Sequence, residues 1–276
     1  IDHNLNLENY NSSDLKLSIR KVSMDTYLKI FDQQMTKSKL RPNDFDNLNS
    51  SIKLFLNNED FNFESGIESY EDLQIKNGSD RYQYNLPYYN YDRLISQNYF
   101  EGNISFGSNG NNYLSNTNKL ETNITNNFTY NSLDYISNFG LKNNFSLSLK
   151  NLNSIGKKTT LYKSNPQIEL ASLFNIDFSM PFEKKDENSE NLLIPKMSFR
   201  FNPSDMKDNS LSDNKINVSN AFALNRLGLS DTLEAGRSIT LGLDYKNEKK
   251  DNLDQINNYF ELKLATVFRD KEEKFI

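Results

Sequence analysis

The chain has 276 residues, a net charge of −5, no cysteine and one histidine. That excludes disulfides, thiolate metal sites and cysteine catalysis, and the mixed charge gives no clustered basic face for nucleic acid. Only 36% of residues are hydrophobic, yet 15 Tyr and 19 Phe are present and no Trp. Disordered chains are poor in aromatics, so these rings belong to an ordered fold.

Period-two alternation of apolar and polar residues runs down most of the chain, the signature of half-buried strands. Leu15, Leu17 and Ile19 alternate with Lys16, Ser18 and Arg20. Ile52, Leu54 and Leu56 share a face, and Phe61, Phe63 and Ile67 oppose Asn62, Glu64 and Glu68. Tyrosines crowd around Pro87, and Phe100, Ile104 and Phe106 alternate with Glu101, Asn103 and Ser105. Leu120, Thr122, Ile124, Asn126, Phe128 and Tyr130 make the clearest stripe, opposite Lys119, Glu121, Asn123, Thr125, Asn127 and Thr129. Phe145, Leu147 and Leu149 oppose Asn144, Ser146, Ser148 and Lys150. Further runs lie at 168–182, 197–201, 239–245 and 260–268.

Polar clusters punctuate these runs. Asn77-Gly78 and residues 108–112 carry turn chemistry, and 153–158, 184–191 and 246–254 read as polar connections. The expected fold is all-β: an antiparallel meander of about a dozen strands, most of ~9–11 residues, the length that crosses a bilayer with tilt. Strands nearly twice the usual ~5–6 residues favour part of a large transmembrane β-barrel. Tyr82, Tyr84, Tyr88, Tyr89, Tyr91 and Tyr99 gather in two segments, as an interfacial girdle would. A soluble sandwich also carries one apolar face per sheet, so a soluble β-rich adhesin or binding module stays open. No apolar run reaches the ~18 residues of a membrane helix, and no segment carries a helical stripe.

Several segments resemble the barrel domain of the LptD family, the outer-membrane lipopolysaccharide-assembly proteins also called the organic solvent tolerance family. They are KVSMDTYLK at 21–29, DRYQYNLPYYNYDR at 80–93, and GLK at 140–142 followed by LSLKNL at 147–152. LIPKMSFRF at 193–201 with Pro203, LEAGRSITLGLDY at 233–245, and the strand at 260–269 complete the series, in the family's order. The resemblance implies a partial barrel domain over 1–276, incomplete at both ends. The family's N-terminal jelly-roll and its terminal gate strands would lie outside it. Its disulfide cysteines have no counterpart here. It implies a cell outer membrane location and lipopolysaccharide transport: acyl chains pass sideways into lipid while sugars cross a polar lumen. The implied partners are lipopolysaccharide, an LptE-like plug lipoprotein, an LptA-like periplasmic bridge and outer-membrane lipid, with no nucleic acid. A porin-like passive diffusion channel is the other membrane reading.

The residues offer no catalytic constellation, so the chain reads as not an enzyme, with no cofactor and no metal. His3 has no partner ligands at metal spacing and reads as an exposed or strand-edge histidine. Ser23 and Ser238 have no histidine base nearby in sequence. Gly236 and Gly242 read as points of bending or close packing. Pro87, Pro181 and Pro195 should sit at strand ends, bulges or edges, because proline removes a ladder donor. Lys16, Arg20, Glu64, Lys142, Lys150 and Arg200 form an inward polar row, the candidate contacts for the anionic head group of lipopolysaccharide; Arg and Lys suit phosphate.

Overall fold

A computed structural model of the chain describes residues 1–35, 42, 44–76, 78, 80–96, 101–116, 118–186, 188–205, 214–229, 232–250 and 256–270. Asn77, Tyr99 and Phe100 lie outside the described residues.

The fold is all-β and antiparallel. Fourteen strands are present among the described residues: β1 (Asp2–Asn4), β2 (Ser12–Ser18), β3 (Asn47–Asn57), β4 (Phe61–Asp72), β5 (Tyr82–Ser96), β6 (Gly102–Ser115), β7 (Lys119–Ser132), β8 (Tyr135–Ile136), β9 (Lys142–Lys157), β10 (Gln167–Ser179), β11 (Phe182–Asp186), β12 (Ser189–Asn202), β13 (Gly236–Lys250) and β14 (Ile256–Arg269). They form one sheet in the order β1-β2-β3-β4-β5-β6-β7-β9-β10-β12-β13-β14. β8 pairs with β9 and β11 with β12, off that path. The sheet is not closed; β1 and β14 stand at the two ends of the order. Among the described residues one α-helical turn, α1 (Tyr27–Ile30), lies in the connection between β2 and β3.

The strands outrun the expected length. β9 has 16 residues, and β5 and β13 have 15 each. The excess comes from segments whose composition suggests turns. Residues 108–112 lie inside β6, and most of 153–158 lies inside β9. The 184–191 segment contributes paired residues to β11 and β12, and β13 continues to Lys250. In each case ladder hydrogen bonds and cross-strand contacts override a local turn preference. Asn, Ser and Gly then serve as small polar wall residues rather than as turn residues.

The prolines sit where the ladder is already broken. Pro87 falls at a bulge: pairing with β4 shifts between Gly66 and Glu68. That shift changes the parity of β5. Tyr82 and Tyr84 therefore share a face with Tyr89 and Tyr91, opposite Glu71, Ser69, Ser65 and Phe63 respectively, while Tyr88 points the other way and donates to Glu64. Four described rings thus stand on the apolar face and one on the polar face, a correction to a girdle of all of them. Pro181 precedes β11, and Pro195 marks the place where β12 passes from pairing with β11 to pairing with β10.

The chain divides into two compact units. Unit 1 comprises Ile1–Leu94, Phe106–Asn126 and Asn151–Glu169; unit 2 comprises Ile95–Ser105, Asn127–Lys150 and Leu170–Ile276. In unit 1, Leu17, Ile52 and Ile67 form a cross-strand apolar row. The opposite face carries Lys53, which pairs with Glu68 at 2.6 Å; Glu68 also accepts from the Tyr70 hydroxyl at 2.6 Å. The apolar core of this unit is small: Leu28, Leu48 and Leu73, with Val22, Met35 and Phe45 packed around them. It lies where the connection carrying α1 folds back on the end of β3.

Unit 2 repeats the two-faced pattern more sharply. Ile176, Phe199, Ile239 and Phe268 are register partners across four strands, as are Phe178, Met197 and Leu241. The intervening rows are polar: Asp177, Ser198 and Thr240, then Asn175, Arg200, Ser238 and Arg269. Ile239, Leu241 and Phe268 are 43%, 42% and 57% exposed, whereas Ser198 and Thr240 are both at 0%. Water-soluble proteins bury the first kind of residue and expose the second. Full burial of each large apolar side chain is worth about 1.5–3 kcal/mol in water, so this face forgoes much of that gain. Backbone donors and acceptors are meanwhile satisfied strand to strand, as a hydrocarbon environment requires.

Candidate functional site

The most elaborate polar arrangement lies in unit 2, on the polar face of β9, β10, β12, β13 and β14, under the connection at 214–235. Alternation places Ser198, Arg200 and Asn202 of β12 on this face, beside Ser238 and Thr240 of β13. Ser198 donates to Asn175 at 2.8 Å, and Asn175 donates to Asp177 at 2.6 Å. Small residues along the wall leave room for the connection to enter. Gly242 is the clearest example: a Cβ there would stand 2.6 Å from the Phe222 ring, which agrees with the close packing read from the sequence.

Arg200 is 3% exposed and donates to the backbone carbonyls of Ala223 at 2.8 Å and Leu224 at 2.7 Å. Lys150 donates to the Leu229 carbonyl at 3.1 Å. Asn202 donates to the carbonyls of Leu233 at 3.3 Å and Glu234 at 2.9 Å. The wall therefore grips the connection mainly through its main chain.

The connection grips back with an ion pair. Arg226 holds both carboxylate oxygens of Glu234, through Nε at 2.5 Å to Oε2 and through Nη2 to Oε1. Its remaining donors reach Thr240 Oγ1 at 3.1 Å and Ser238 Oγ at 3.0 Å. Arg269 of β14 also pairs with Glu234, and Arg200 stands 4.0 Å from it. Burial presses the Arg226 guanidinium down to about 10. A buried cation of this kind is tolerated because a bidentate carboxylate and two hydroxyls take its protons. Leu227 and Leu229, with Ile216 against them, supply a minor apolar cluster inside the connection.

The six residues read from the sequence as one inward row do not gather at one place. Lys150 and Arg200 both reach the connection in unit 2, at Leu229 and at Ala223 and Leu224 respectively. Lys142 belongs to the same unit but pairs with Asp134 at 2.7 Å. Lys16, Arg20 and Glu64 belong to unit 1. The Lys16 ammonium stands 4.9 Å from the Phe55 ring centre, the Arg20 amide donates to Ser50 Oγ at 2.9 Å, and Glu64 accepts from Tyr88 at 2.7 Å. Alternation identified the face, but it carries no information on which connection folds onto it. Arg226, Glu234 and Arg269 were missed as site residues. Glu234, Ser238 and Thr240 lie in the LEAGRSITLGLDY segment, so the motif was visible while its task was not.

A second charged group lies in unit 1. Arg81 makes a two-point contact with Asp25, at 3.1 and 2.7 Å, and also donates to Glu71 at 2.7 Å. The Arg81 hydrogen bond holds the Asp25 carboxyl below its ordinary 3.8, and Asp25 in turn raises Arg81. Asp134 is likewise held low, chiefly by Lys142. His3 lies on β1 at the end of the strand order and is exposed, opposite Leu15. Among the described residues no group of three His, Asp or Glu could hold a metal ion, and no helix is long and apolar enough to cross a membrane.

A scan of the sequence against protein-family models gives no match, and no curated protein matches the chain.

Proposed function

We propose that this chain is part of the wall of an outer-membrane β-barrel that carries lipopolysaccharide, its apolar rows facing lipid and its polar rows lining an aqueous lumen. One observation carries the reading: large aliphatic and aromatic residues are exposed on one face of long strands while serines, threonines and arginines are buried on the other. Next to hydrocarbon that inversion is the stable arrangement. A lumen with buried arginine and lysine suits a ligand with phosphorylated sugars and greasy tails, and the sequence segments resembling the LptD family favour that ligand over a passive solute. The protein's part is to supply a path between two solvents, with no covalent chemistry.

Two measurements test the proposal. Leu241→Arg on the apolar face should cost ~2–4 kcal/mol in phosphatidylcholine vesicles, as an arginine at the bilayer midplane does. An effect under about 0.5 kcal/mol, the usual range for an exposed site in water, would sink the lipid-facing assignment. A photoreactive side chain at Ser148, on the polar face, should crosslink lipopolysaccharide in the same vesicles, and one at Leu149 should not. Equal crosslinking from both positions would remove the transport reading while leaving the wall intact.

A further inference from the structure

Residues 19–35, in the connection between β2 and β3, have an inner side and an outer side, and both are apolar. The inner side packs on the sheet: Leu28 lies against Leu48 and Leu73, with Val22 and Met35 beside them. Leu48 shares a face of β3 with Ile52 and Leu54, because alternate residues of a strand point the same way. The segment therefore lies on the apolar face. It is tied down where it leaves β2, the Arg20 amide donating to Ser50 Oγ at 2.9 Å and Ser50 Oγ donating to the Arg20 carbonyl at 3.2 Å. On the outer side Ile19, Met24, Tyr27, Ile30 and Phe31 are between 39% and 76% exposed. Tyr27, Ile30 and Phe31 have the spacing that gathers side chains on one side of a helical turn, and the Tyr27 and Phe31 rings stand 4.9 Å apart. The stretch 214–229 of the other long connection exposes one large apolar residue, Val218. Single exposed apolar residues are ordinary in a folded protein, whereas a contiguous patch marks a contact.

We infer that residues 19–31 are a membrane-interface contact, with Tyr27, Ile30 and Phe31 set among the head groups and upper acyl chains of phospholipid. Three features select that occupant. The segment lies on the face whose Leu17, Ile52 and Ile67 row the wall turns to lipid, so the solvent of that face is also its own. The groove at its point of attachment is lined almost wholly by apolar surface, from Leu17, Ile19, Ile52, Ile67 and Leu86, with Ser50 and Ser69 alongside; hydrocarbon fits it and water does not. The patch is also amphipathic in the manner of an interface. A tyrosine joins an apolar ring to a polar tip and is enriched at the membrane–water boundary. Lys21 and Lys29 are exposed on the same segment, and long cationic side chains there keep their heads in water beside lipid phosphate. The depth is consistent. Leu54 lies six residues from Leu48 along β3, roughly 20 Å at ~3.3 Å per residue. With barrel tilt, Leu54 and its register partner Leu15 then fall near the middle of a band ~25 Å tall when α1 stands at its edge. This inference rests on the reading of the apolar face as lipid-facing.

The chain has no tryptophan, so Ile30→Trp and Leu15→Trp each supply a single emitter, both at exposed positions. In vesicles of phosphatidylcholine brominated near the ester end of its chains, Ile30→Trp emission should be quenched several-fold more than in vesicles brominated near the methyl end. Leu15→Trp should show the opposite order. Tyr27→Ser with Phe31→Ser, both exposed, should weaken the quenching at position 30 and leave that at position 15 unchanged. Quenching of Leu15→Trp without quenching of Ile30→Trp overturns the inference and leaves the wall standing. So does Ile30→Trp emission that responds to chain concentration instead of to bromine, which assigns the patch to a second copy of the chain. The deep order at both positions also overturns it, since the segment would then have no place at the boundary. Emission at neither position responding to bromine removes the lipid-facing wall itself, and the inference with it.

Discussion

Two connections fold back onto the strands, and they are held by opposite means. In unit 1, the segment carrying α1 covers Leu48, which continues the apolar row of Ile52 and Leu54 along β3. It is fixed by leucine packing, with Leu28 and Leu73 beside Leu48, and its charges stay at the rim in the Asp25–Arg81–Glu71 group. In unit 2, the 214–235 connection covers the polar rows of β12 and β13. It is fixed by buried hydrogen bonds and an ion pair, with a lesser apolar contribution. The difference follows from the face that is covered. An apolar row offers area, so it is sealed with leucines. A polar row offers donors and acceptors that cannot be left unmet, so it is sealed with a main chain and a salt bridge.

The comparison can be broken most severely at Glu234. Glu234→Gln leaves Arg226 buried beside a neutral amide, and losing one partner of a buried pair costs about 3–5 kcal/mol. Denaturant titration should record that loss, and amide exchange should place it in 214–235 while 19–35 keeps its protection. Leu48→Ala should give the mirror image: about 3 kcal/mol from the lost transfer energy and the cavity, with exchange accelerating in 19–35 and not in 214–235. Gly242→Val sharpens the account of loop packing. The added side chain meets the Phe222 ring, and overpacking of this kind costs about 1–3 kcal/mol. Thermal melting should fall, and Phe222→Ala in the same chain should restore part of it.

The smallest effect is expected at the rim. Asp25→Asn removes a half-buried partner of Arg81, and solvent screening keeps the loss the smallest of the set. The pH dependence has a definite sign. The Asp25 carboxyl is held below its ordinary 3.8, so its contribution is complete above that value and is lost as pH falls through the lower folded-state value. Exchange protection of 19–35 should weaken below about pH 3.8 in the parent chain and show no such step in Asp25→Asn.

Alternation alone made the strand class, the antiparallel meander and the two chemically distinct faces legible, since a side-chain period of two leaves no other regular structure. Individual residues such as Ser148, Arg200 and Leu241 could be assigned to a face from the sequence. Strand ends could not. The Asn- and Gly-rich stretch at 108–112 has the composition of a turn, and its incorporation into β6 depends on neighbours it pairs with rather than on its own preferences. The parity change at Pro87 was equally hidden, because a bulge is set by the register with β4.

What the sequence determined by itself is the inversion of polarity: greasy and polar side chains are committed to opposite sides as soon as the backbone extends. What only the tertiary structure decided is which polar residues become a site. Arg200 and Lys150 lie 50 positions apart in the chain, and Arg226 and Glu234 sit in a connection with no periodicity to mark them. Their meeting depends on long-range strand order and on a loop folding inward, and neither leaves a local trace that spacing or composition can record.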